Sequence, residues 1–404
     1  MTVKNSLSRR QFVGGVAAAI GYAGLGPSVD VFAQNARGAG QAARAKMPLA
    51  EAVAEYDVAA KLANNENPFG PPESVIKAMT GAFKYANRYG YPDGGIIDAI
   101  AEHHGVKPEN VILGAGSSEV LTMTDTTFLQ GGKKVIGVDP TYNTVYQYAT
   151  NSKSDAIKLP LLKDYRQDIP AMIHTVKANY RDVGFVYLCN PNNPTAMIIP
   201  KQEVKQLLDS IPEDVPVLMD EAYHHFVDDP NYETSIPYVK EGRQVIVART
   251  FSKIVGLAGM RLGYAVAPKT VIDRMRPFAM SYGINAVVKW GGAEALRDTA
   301  AQDKVRQYTI GMRKKVTSDL QAHGYETLPT QTNFFMVHIG REVVPVIEEF
   351  KKKNVLVGRP FPPMTQHLRV SIGTEDEMVR FTTAFKEIFP AKGKVSTAAD
   401  RGNR

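Results

Sequence analysis

The sequence has very little cysteine and tryptophan, and it lacks a long apolar run. Its 404 residues include one cysteine and one tryptophan. A single cysteine excludes an intramolecular disulfide framework. Cys189 follows the apolar residues 184–188 and is expected to be a buried thiol. Apart from the N-terminus, no stretch is apolar for long enough to span a bilayer, so no membrane span is expected in the mature chain.

The sequence also lacks a large excess of charge of either sign. The formal net charge is +7, from 48 Lys and Arg against 41 Asp and Glu. The only dense basic run is Lys351–Lys353, which is typical of a solvated helix face, so no nucleic-acid partner is expected. His224 and His225 are adjacent, but no further side chain stands at metal-ligand spacing, and no bound metal is expected.

The N-terminus is typical of a targeting segment. Residues Ser8–Val13 match the twin-arginine pattern, and a weakly apolar stretch runs from Phe12 to Leu25. Small residues ending at Ala33 offer a cleavage point. Residues 1–33 are therefore predicted to direct export through the twin-arginine pathway to the periplasm. The alternative is a cytoplasmic protein with a basic tail.

Apolar runs of strand length alternate with helical patterns through most of the chain. This alternation favours an α/β fold with a large domain, in which a mostly parallel sheet is covered by helices, and a smaller α+β domain at the C-terminal end. No internal repeat is visible. The predicted segments after the targeting segment are an N-terminal arm at 34–70, the large domain at 71–285, the small domain at 286–390 and a disordered tail at 391–404.

Polar residues follow several predicted strands, where parallel sheets place their ligands. Residues Gly114–Glu119 combine glycines with Ser117 and Ser118 at a helix start, where free N–H groups bind anions. A Ser-capped helix is the alternative. Lys253 follows another strand, and a lysine becomes nucleophilic when burial or nearby positive charge lowers its pKa. Arg261, eight residues on, can reach back to a phosphate.

Three further strand ends carry polar or aromatic side chains. Asp220 ends a wholly apolar strand, so its carboxylate needs a partner. Tyr142 can lay its ring on a flat aromatic group. Asn193 lies in the Pro-bracketed loop from Asn190 to Thr195, which aims its amide rigidly. Each signal alone also fits ordinary packing or capping, but the five strand ends together indicate one site.

In these motifs the sequence resembles the fold-type-I, class-I/II aminotransferases, and most closely the histidinol-phosphate aminotransferase group. The resemblance covers residues 60–388. The matching runs are 62–70, 91–93, 114–119, 140–142, 190–195, 220–223, 250–263 and 368–374.

The resemblance implies an enzyme that carries pyridoxal 5′-phosphate on Lys253 as a Schiff base. Lys253, Asp220 and Tyr223 are the implied catalytic residues. Asp220 would pair with the ring nitrogen, Tyr223 and Asn193 with the phenolic oxygen, and Tyr142 with the ring face. The phosphate would be held by Ser117, Ser118, Thr250, Ser252 and Arg261, and by Tyr91 of a neighbouring subunit, which implies a homodimer with shared sites.

The implied reaction moves an amino group between an L-amino acid and a 2-oxo acid. Arg369 would bind the substrate carboxylate, with Asn67 and Arg359 near the substrate. The family usually has an arginine directly after the strand at 355–357, whereas here Gly358 precedes Arg359. Phe361 and Met364 then suggest an apolar wall, which favours an aromatic or apolar donor; a histidinol-phosphate-like donor is the alternative. The alternatives are a decarboxylase or racemase of the same fold, and a non-catalytic binding protein.

A last departure lies in the asparagine loop, where Ala196 replaces the usual glycine. A left-handed backbone at that position would disfavour alanine by roughly 1 kcal/mol.

Overall fold

The computed structural model describes residues 49–151, 154–280 and 283–391. The predicted targeting segment, its cleavage point, the first part of the arm and nearly all of the predicted tail lie outside these ranges. The chain divides into two compact units after Val58. The described part of the first unit is helix α1 (Leu49–Val58). No helix within the described ranges is long and apolar enough to cross a bilayer.

A seven-stranded sheet organises the second unit. Its order is β2-β8-β7-β6-β5-β3-β4, with elements numbered in chain order. All neighbours pair in parallel except β8, which is antiparallel to both β2 and β7. The bounds are β2 Val111–Gly114, β3 Lys134–Asp139, β4 Ala156–Pro160, β5 Val183–Cys189, β6 Val217–Asp220, β7 Val245–Thr250 and β8 Gly263–Val266.

Helices cover both faces of this sheet. Every residue of β5, β6 and β7 is buried, as expected for strands with both faces covered. The helices around the sheet are α2 Glu73–Ala82, α3 Ile96–His104, α4 Ser117–Phe128, α5 Thr144–Asn151, α6 Ile169–Ala178, α7 Lys201–Ser210, α8 Ile236–Lys240, α9 Lys269–Met275 and α10 Ala286–Arg297. The predicted α/β fold class with a mostly parallel sheet is confirmed.

Side-chain alternation divides the core of the sheet into two apolar clusters. On the α4 face, helix α4 packs against strand residues such as Tyr187, Leu218 and Ala248. On the α3 face, helix α3 packs against the intervening residues, such as Met219 and Val247. At the strand ends, therefore, neighbouring residues in the sequence point to opposite faces of the sheet, and only one of the two can face a site on a given side.

The C-terminal part has its own apolar cluster. Strands β9 and β11 pair antiparallel, while β1 and β10 pair in parallel. The bounds are β1 Ala60–Leu62, α11 Thr299–Ala322, β9 Phe334–His338, α12 Val343–Lys351, β10 Val355–Val357, β11 His367–Ser371 and α13 Glu375–Ile388. Val288 and Ala293 of α10 belong to the α3-face cluster of the large sheet. The boundary between the large and small domains after residue 285 stays a prediction.

Candidate active site

The polar strand ends come together at one edge of the sheet. In the sheet register Cys189 lies beside Asp220, and Asp220 lies beside Ala248, two residues before the end of β7. The loops after β3 and β5 are bonded to each other, because the Thr141 hydroxyl donates to Asn192 Oδ1 at 2.7 Å. This contact places partly buried Tyr142 next to the asparagine loop.

An anion cradle forms between the start of α4 and the loop after β7. Gly116 has a φ of 77°, and a Cβ there would lie 2.1 Å from Arg261 Nη2. A Cβ at Gly263 would lie 2.3 Å from the Ser117 nitrogen. These two glycines therefore let the guanidinium and the helix start approach each other. Arg261 Nη1 donates to the Ala258 carbonyl at 2.9 Å, which fixes the side chain.

The hydroxyls of the cradle come from the end of β7. Thr250 Oγ1 donates to Ser252 Oγ at 2.9 Å and accepts from the Ser252 nitrogen at 3.1 Å. Thr250 also pairs with Gly263 in the sheet, next to Ser117. The structure thus brings together the predicted phosphate ligands Ser117, Thr250, Ser252 and Arg261, with Ser118 next along α4.

Asp220 is the buried carboxylate at the end of β6. It is 2% exposed, accepts from Tyr187 Oη at 3.3 Å and accepts from the Ala222 nitrogen at 3.2 Å. Within the described ranges it forms no ion pair. Burial raises the pKa of Asp220 to about 6. A cationic N–H at this position would compensate the charge.

Lys253 is an amine held ready for reaction. Its Nζ donates to the Asn64 carbonyl at 3.0 Å and lies 5.7 Å from the centre of the Tyr223 ring. Burial, reinforced by the positive charge of Arg369, lowers the pKa of Lys253 to about 8. Roughly a tenth of the amine is therefore neutral at pH 7, far more than in an ordinary lysine, and the neutral amine is the nucleophile.

A hydrogen-bond network joins the phenolic and carboxylate ends of the site. Asn193 Nδ2 donates to Tyr223 Oη at 3.4 Å, and Asn193 Oδ1 accepts from Arg369 Nη1 at 2.7 Å. Arg369 Nη2 donates to the Ala63 carbonyl at 2.6 Å. The left-handed backbone of Ala196, with a φ of 64°, is confirmed in this loop.

Sequence reasoning missed Asn65 in this network. Its Nδ2 donates to Tyr223 Oη at 3.1 Å, and its backbone nitrogen donates to Ser371 Oγ at 2.8 Å. The predicted substrate-side Asn67 instead donates to the Ile254 carbonyl at 2.9 Å, beside Lys253. The motif contains three asparagines, and only the tertiary contacts distinguish them.

Arg359 and Arg369 share one aromatic ring. Their guanidinium carbons lie 4.3 and 4.5 Å from the centre of the Phe361 ring. Phe361 is 4% exposed, and its role as an apolar wall of the substrate site stays a prediction. Met364 packs against Leu328, Met336 and Tyr165 in a separate small cluster.

Tyr91 lies in a groove of its own chain that is also lined by Met260 and Ile284. Its hydroxyl donates to the Ile284 carbonyl at 3.3 Å, and Lys289 Nζ lies 5.1 Å from its ring centre. The predicted contact with a neighbouring subunit concerns a second copy of the chain and stays a prediction.

The charges of the site fit pyridoxal phosphate. Arg261, Lys253 and Asp220 make no ion pair within the described part of the chain. A phosphate, a carbonyl and a protonated pyridine nitrogen are the complementary groups for these three side chains. The cradle, opened by Gly116 and Gly263, has the backbone clearance that a phosphate needs.

Comparison with known proteins agrees with this geometry. The family model described as aminotransferase class I and II matches residues 58–385. A histidinol-phosphate aminotransferase of Moorella thermoacetica is 36% identical over 335 residues, which cover 81% of this chain and 85% of that protein. The chain therefore belongs to the class I and II aminotransferases.

Two solved structures give the same fold. A histidinol-phosphate aminotransferase from Sinorhizobium meliloti, in complex with pyridoxal 5′-phosphate, has a TM-score of 0.74 at 25% identity and covers 81% of this chain and 89% of that chain. L-threonine-O-3-phosphate decarboxylase from Porphyromonas gingivalis has a TM-score of 0.69 at 19% identity, with coverage of 81% and 98%, and shares the fold. The predicted pyridoxal-phosphate-dependent aminotransferase activity is confirmed at the level of the family.

Proposed function

We propose that this aminotransferase uses an aromatic or apolar L-amino acid as donor and a 2-oxo acid as acceptor. The observation that carries the proposal is the position of Arg369. Its guanidinium is fixed by Asn193 and the Ala63 carbonyl, and it lies 5.4 Å from the centre of the Phe334 ring and 4.5 Å from that of Phe361. A substrate carboxylate bound there brings its side chain towards these two aromatic rings, which are buried in the described structure.

The chain's own residues divide the work of the reaction. Bound pyridoxal phosphate supplies the electron sink for the pair released when the substrate Cα–H bond breaks. Lys253 Nζ takes the proton from the substrate Cα, and Asp220 holds a proton at the pyridine nitrogen. Tyr223 and Asn193 donate hydrogen bonds to the phenolic oxygen. Arg369 orients the substrate through its carboxylate.

Arg359 distinguishes this proposal from a histidinol-phosphate donor, the substrate named for the relatives. One face of its guanidinium lies over the Phe361 ring, and its Nη1 donates to the carbonyl of its own neighbour Pro360 at 3.0 Å. Gly358, whose nitrogen donates to the Arg369 carbonyl at 2.8 Å, shifts Arg359 one position past the usual place after the strand. This placement favours a donor without a phosphate.

The substrate proposal is tested by the visible absorbance of the loaded enzyme during single additions of L-phenylalanine, L-tyrosine, L-leucine and histidinol phosphate. We expect the cofactor band to bleach with the aromatic amino acids and to return when a 2-oxo acid is added. Bleaching by histidinol phosphate alone would overturn the donor assignment. Release of carbon dioxide without a 2-oxo acid would overturn the reaction type.

We also propose a homodimer in which Tyr91 of one subunit reaches the phosphate of the other. Tyr89 and Phe83, close to Tyr91 in sequence, are 84% and 62% exposed, and they line a groove with Met260 and Ile284. Exposed aromatic side chains of this size are typical of an interface. Mixing inactive Lys253→Ala and Tyr91→Ala chains should restore activity, because one site of the mixed dimer has both residues intact. No recovery would contradict the shared site.

We further propose export through the twin-arginine pathway, on the evidence of the motif at Arg9 and Arg10. The pathway carries folded proteins, which suits an enzyme that binds its cofactor before export. Periplasmic fractions should contain the enzyme with its N-terminus near residue 34. An Arg9→Lys and Arg10→Lys double variant should remain in the cytoplasm, and equal export of that variant would exclude this route.

A further inference from the structure

A second charged network lies on the α3 face, directly behind the cofactor site. Glu221 follows Asp220, and Arg249 precedes Thr250. Arg249 Nη2 and Nε donate to Glu221 Oε2 at 2.8 and 3.2 Å. The two side chains are 5% and 0% exposed. The pair therefore joins the ends of β6 and β7 where the sheet ladder stops.

Thr234 and Ser235, which directly precede α8, complete this network. The Thr234 hydroxyl donates to Glu221 Oε2 at 2.8 Å and accepts from Arg249 Nη2 at 2.7 Å. The Ser235 nitrogen donates to Glu221 Oε1 at 2.6 Å. Both carboxylate oxygens and the guanidinium are thus held in one geometry. Such saturation is what a buried ion pair needs in order to stay charged.

Glu221 is the ion-pair partner of Arg249 in the described structure, and the other titratable groups that face Arg249 are histidines and tyrosines. His104, whose Nε2 lies 2.9 Å from Tyr264 Oη, faces Arg249 from α3. Burial, followed by the positive charge of Arg249, lowers the pKa of His104 to about 2 and that of His225 well below its usual value. These histidines are neutral at physiological pH, so they leave the pair's charge balance intact.

We propose that Glu221 and Arg249 are positioning residues that set the spacing between Asp220 and the phosphate-binding hydroxyls of Thr250 and Ser252. Asp220 and Thr250 lie on the α4 face, and their chain neighbours Glu221 and Arg249 hold each other on the opposite face. The cofactor's ring nitrogen and its phosphate belong to one small molecule and are joined through the ring and a short CH2–O arm, so contact with both requires the two strand ends to stay within a narrow range of distances. A buried ion pair is by itself weak evidence for stability. This pair, however, connects the two strand ends that carry Asp220 and Thr250, so we assign it a role in the geometry of the site.

The chain offers a matched control. Arg313 and Asp228 form another ion pair, in which Arg313 is buried and Asp228 is partly exposed, with Arg313 Nη2 donating to Asp228 Oδ1 at 2.7 Å and side chains 3% and 23% exposed. Arg313 also donates to the carbonyls of Phe226 and Thr332. Asp228 and Arg313 take no part in the cofactor cradle or in the Arg369 network.

The test compares Glu221→Gln/Arg249→Met with Asp228→Asn/Arg313→Met. The amide oxygen of Gln would accept from the Ser235 nitrogen and its amide nitrogen would donate to the Thr234 hydroxyl, while Met removes the second charge, so the protein should fold. We expect the first variant to raise the dissociation constant for pyridoxal phosphate at least tenfold and to shift the pH midpoint of the cofactor band. It should lower kcat more than it changes the donor KM. The control should keep both cofactor properties at a similar melting temperature.

Wild-type cofactor affinity and midpoint in the first variant would overturn the positioning role. An equal loss of affinity in the control would also overturn it, because the effect would then follow general destabilisation. If the double variant does not fold, Thr234→Val decides the question, since it removes one bond from the network. A smaller shift of the midpoint in that variant supports the role, and an unchanged midpoint contradicts it.

Discussion

Charged side chains lie on both faces of the sheet at the ends of β6 and β7, but only those on the α3 face are paired with each other. On the α4 face, Asp220 forms no ion pair in the described structure, and neither does Lys253 in the loop after β7. On the α3 face, Glu221 and Arg249 are paired and saturated with hydrogen bonds. Asp220 and Glu221 are neighbours in sequence, so their difference arises from tertiary packing alone.

This difference separates a binding function from a structural one. Burial raises the pKa of Asp220 to about 6 and lowers that of Lys253 to about 8, so both groups are costly to keep charged without a ligand. The cofactor supplies the missing partners. Glu221 already has its partners, and its charge serves the geometry of the strand ends.

The largest expected effect is the loss of Lys253. Lys253→Ala should lower turnover by at least about 10²–10⁴-fold, because the residue moves the substrate Cα proton. A coupled assay for 2-oxo acid formation measures it. Lys205→Ala, at a surface lysine paired with Asp209, is the control and should retain full activity. Substantial turnover in Lys253→Ala would contradict the assignment.

Amide substitutions at the two neighbouring acids should have opposite effects on stability. Glu221→Gln should lower the free energy of unfolding by about 3–5 kcal/mol, because it leaves Arg249 buried without its partner. Asp220→Asn should raise the free energy of unfolding of the cofactor-free protein at pH 7 by about 2–3 kcal/mol, because it removes a buried charge. Urea unfolding at pH 7 measures both. Changes of the same sign would contradict the difference between the unpaired Asp220 and the paired Glu221.

The sign for Asp220 follows from its two pKa values. Its pKa is about 6 in the folded protein and near 3.8 in the unfolded chain. As pH rises between these values, the unfolded chain ionises first and is favoured. The free energy of unfolding of the cofactor-free protein should therefore fall over this range in the wild type and should fall less in Asp220→Asn.

A smaller effect is expected at the carboxylate subsite. Arg369→Ala should weaken binding of the amino donor by about 1.5–3 kcal/mol, the usual contribution of a hydrogen bond to a charged group. Steady-state kinetics should show most of this loss as a higher KM. Arg380→Ala, at an arginine whose Nη2 donates to the Asn354 carbonyl on the surface, is the control. An unchanged KM in Arg369→Ala would place the carboxylate elsewhere.

The smallest effect is the pH dependence of cofactor uptake. The neutral amine of Lys253 attacks the cofactor carbonyl, so the rate of uptake by cofactor-free protein should rise with pH and level off above about 8. Stopped-flow absorbance between pH 6 and pH 10 is the suitable measurement. A rate that continues to rise to about pH 10, as for an ordinary lysine, would show that the site does not depress the pKa.

Much of the site could be predicted from the sequence because apolar strands mark their own ends. The strand before Asp220 and the one before Lys253 are continuous apolar runs, and the polar residues that follow them must gather at one edge of a parallel sheet. The cradle around Arg261 could be predicted because Gly116 and Gly263 are needed for close backbone approach.

The missed features depend on contacts far apart in sequence. Strand β8 has four residues and directly follows the Arg261 motif, so periodicity gave no separate signal for it. Asn65 acquires its role through Ser371, 306 residues away. The orientation of Arg359 depends on the Phe361 ring, and the role of Glu221 depends on Arg249, which no local pattern encodes.

The most direct test of the contrast between the two faces is thermal unfolding of wild type and Asp220→Asn, each with and without pyridoxal phosphate. The account predicts that Asp220→Asn melts at a higher temperature than wild type without the cofactor, and gains less stability than wild type when the cofactor is added. A variant that melts lower without the cofactor, or that gains as much as wild type, would contradict the claim that Asp220 is kept unpaired for the cofactor.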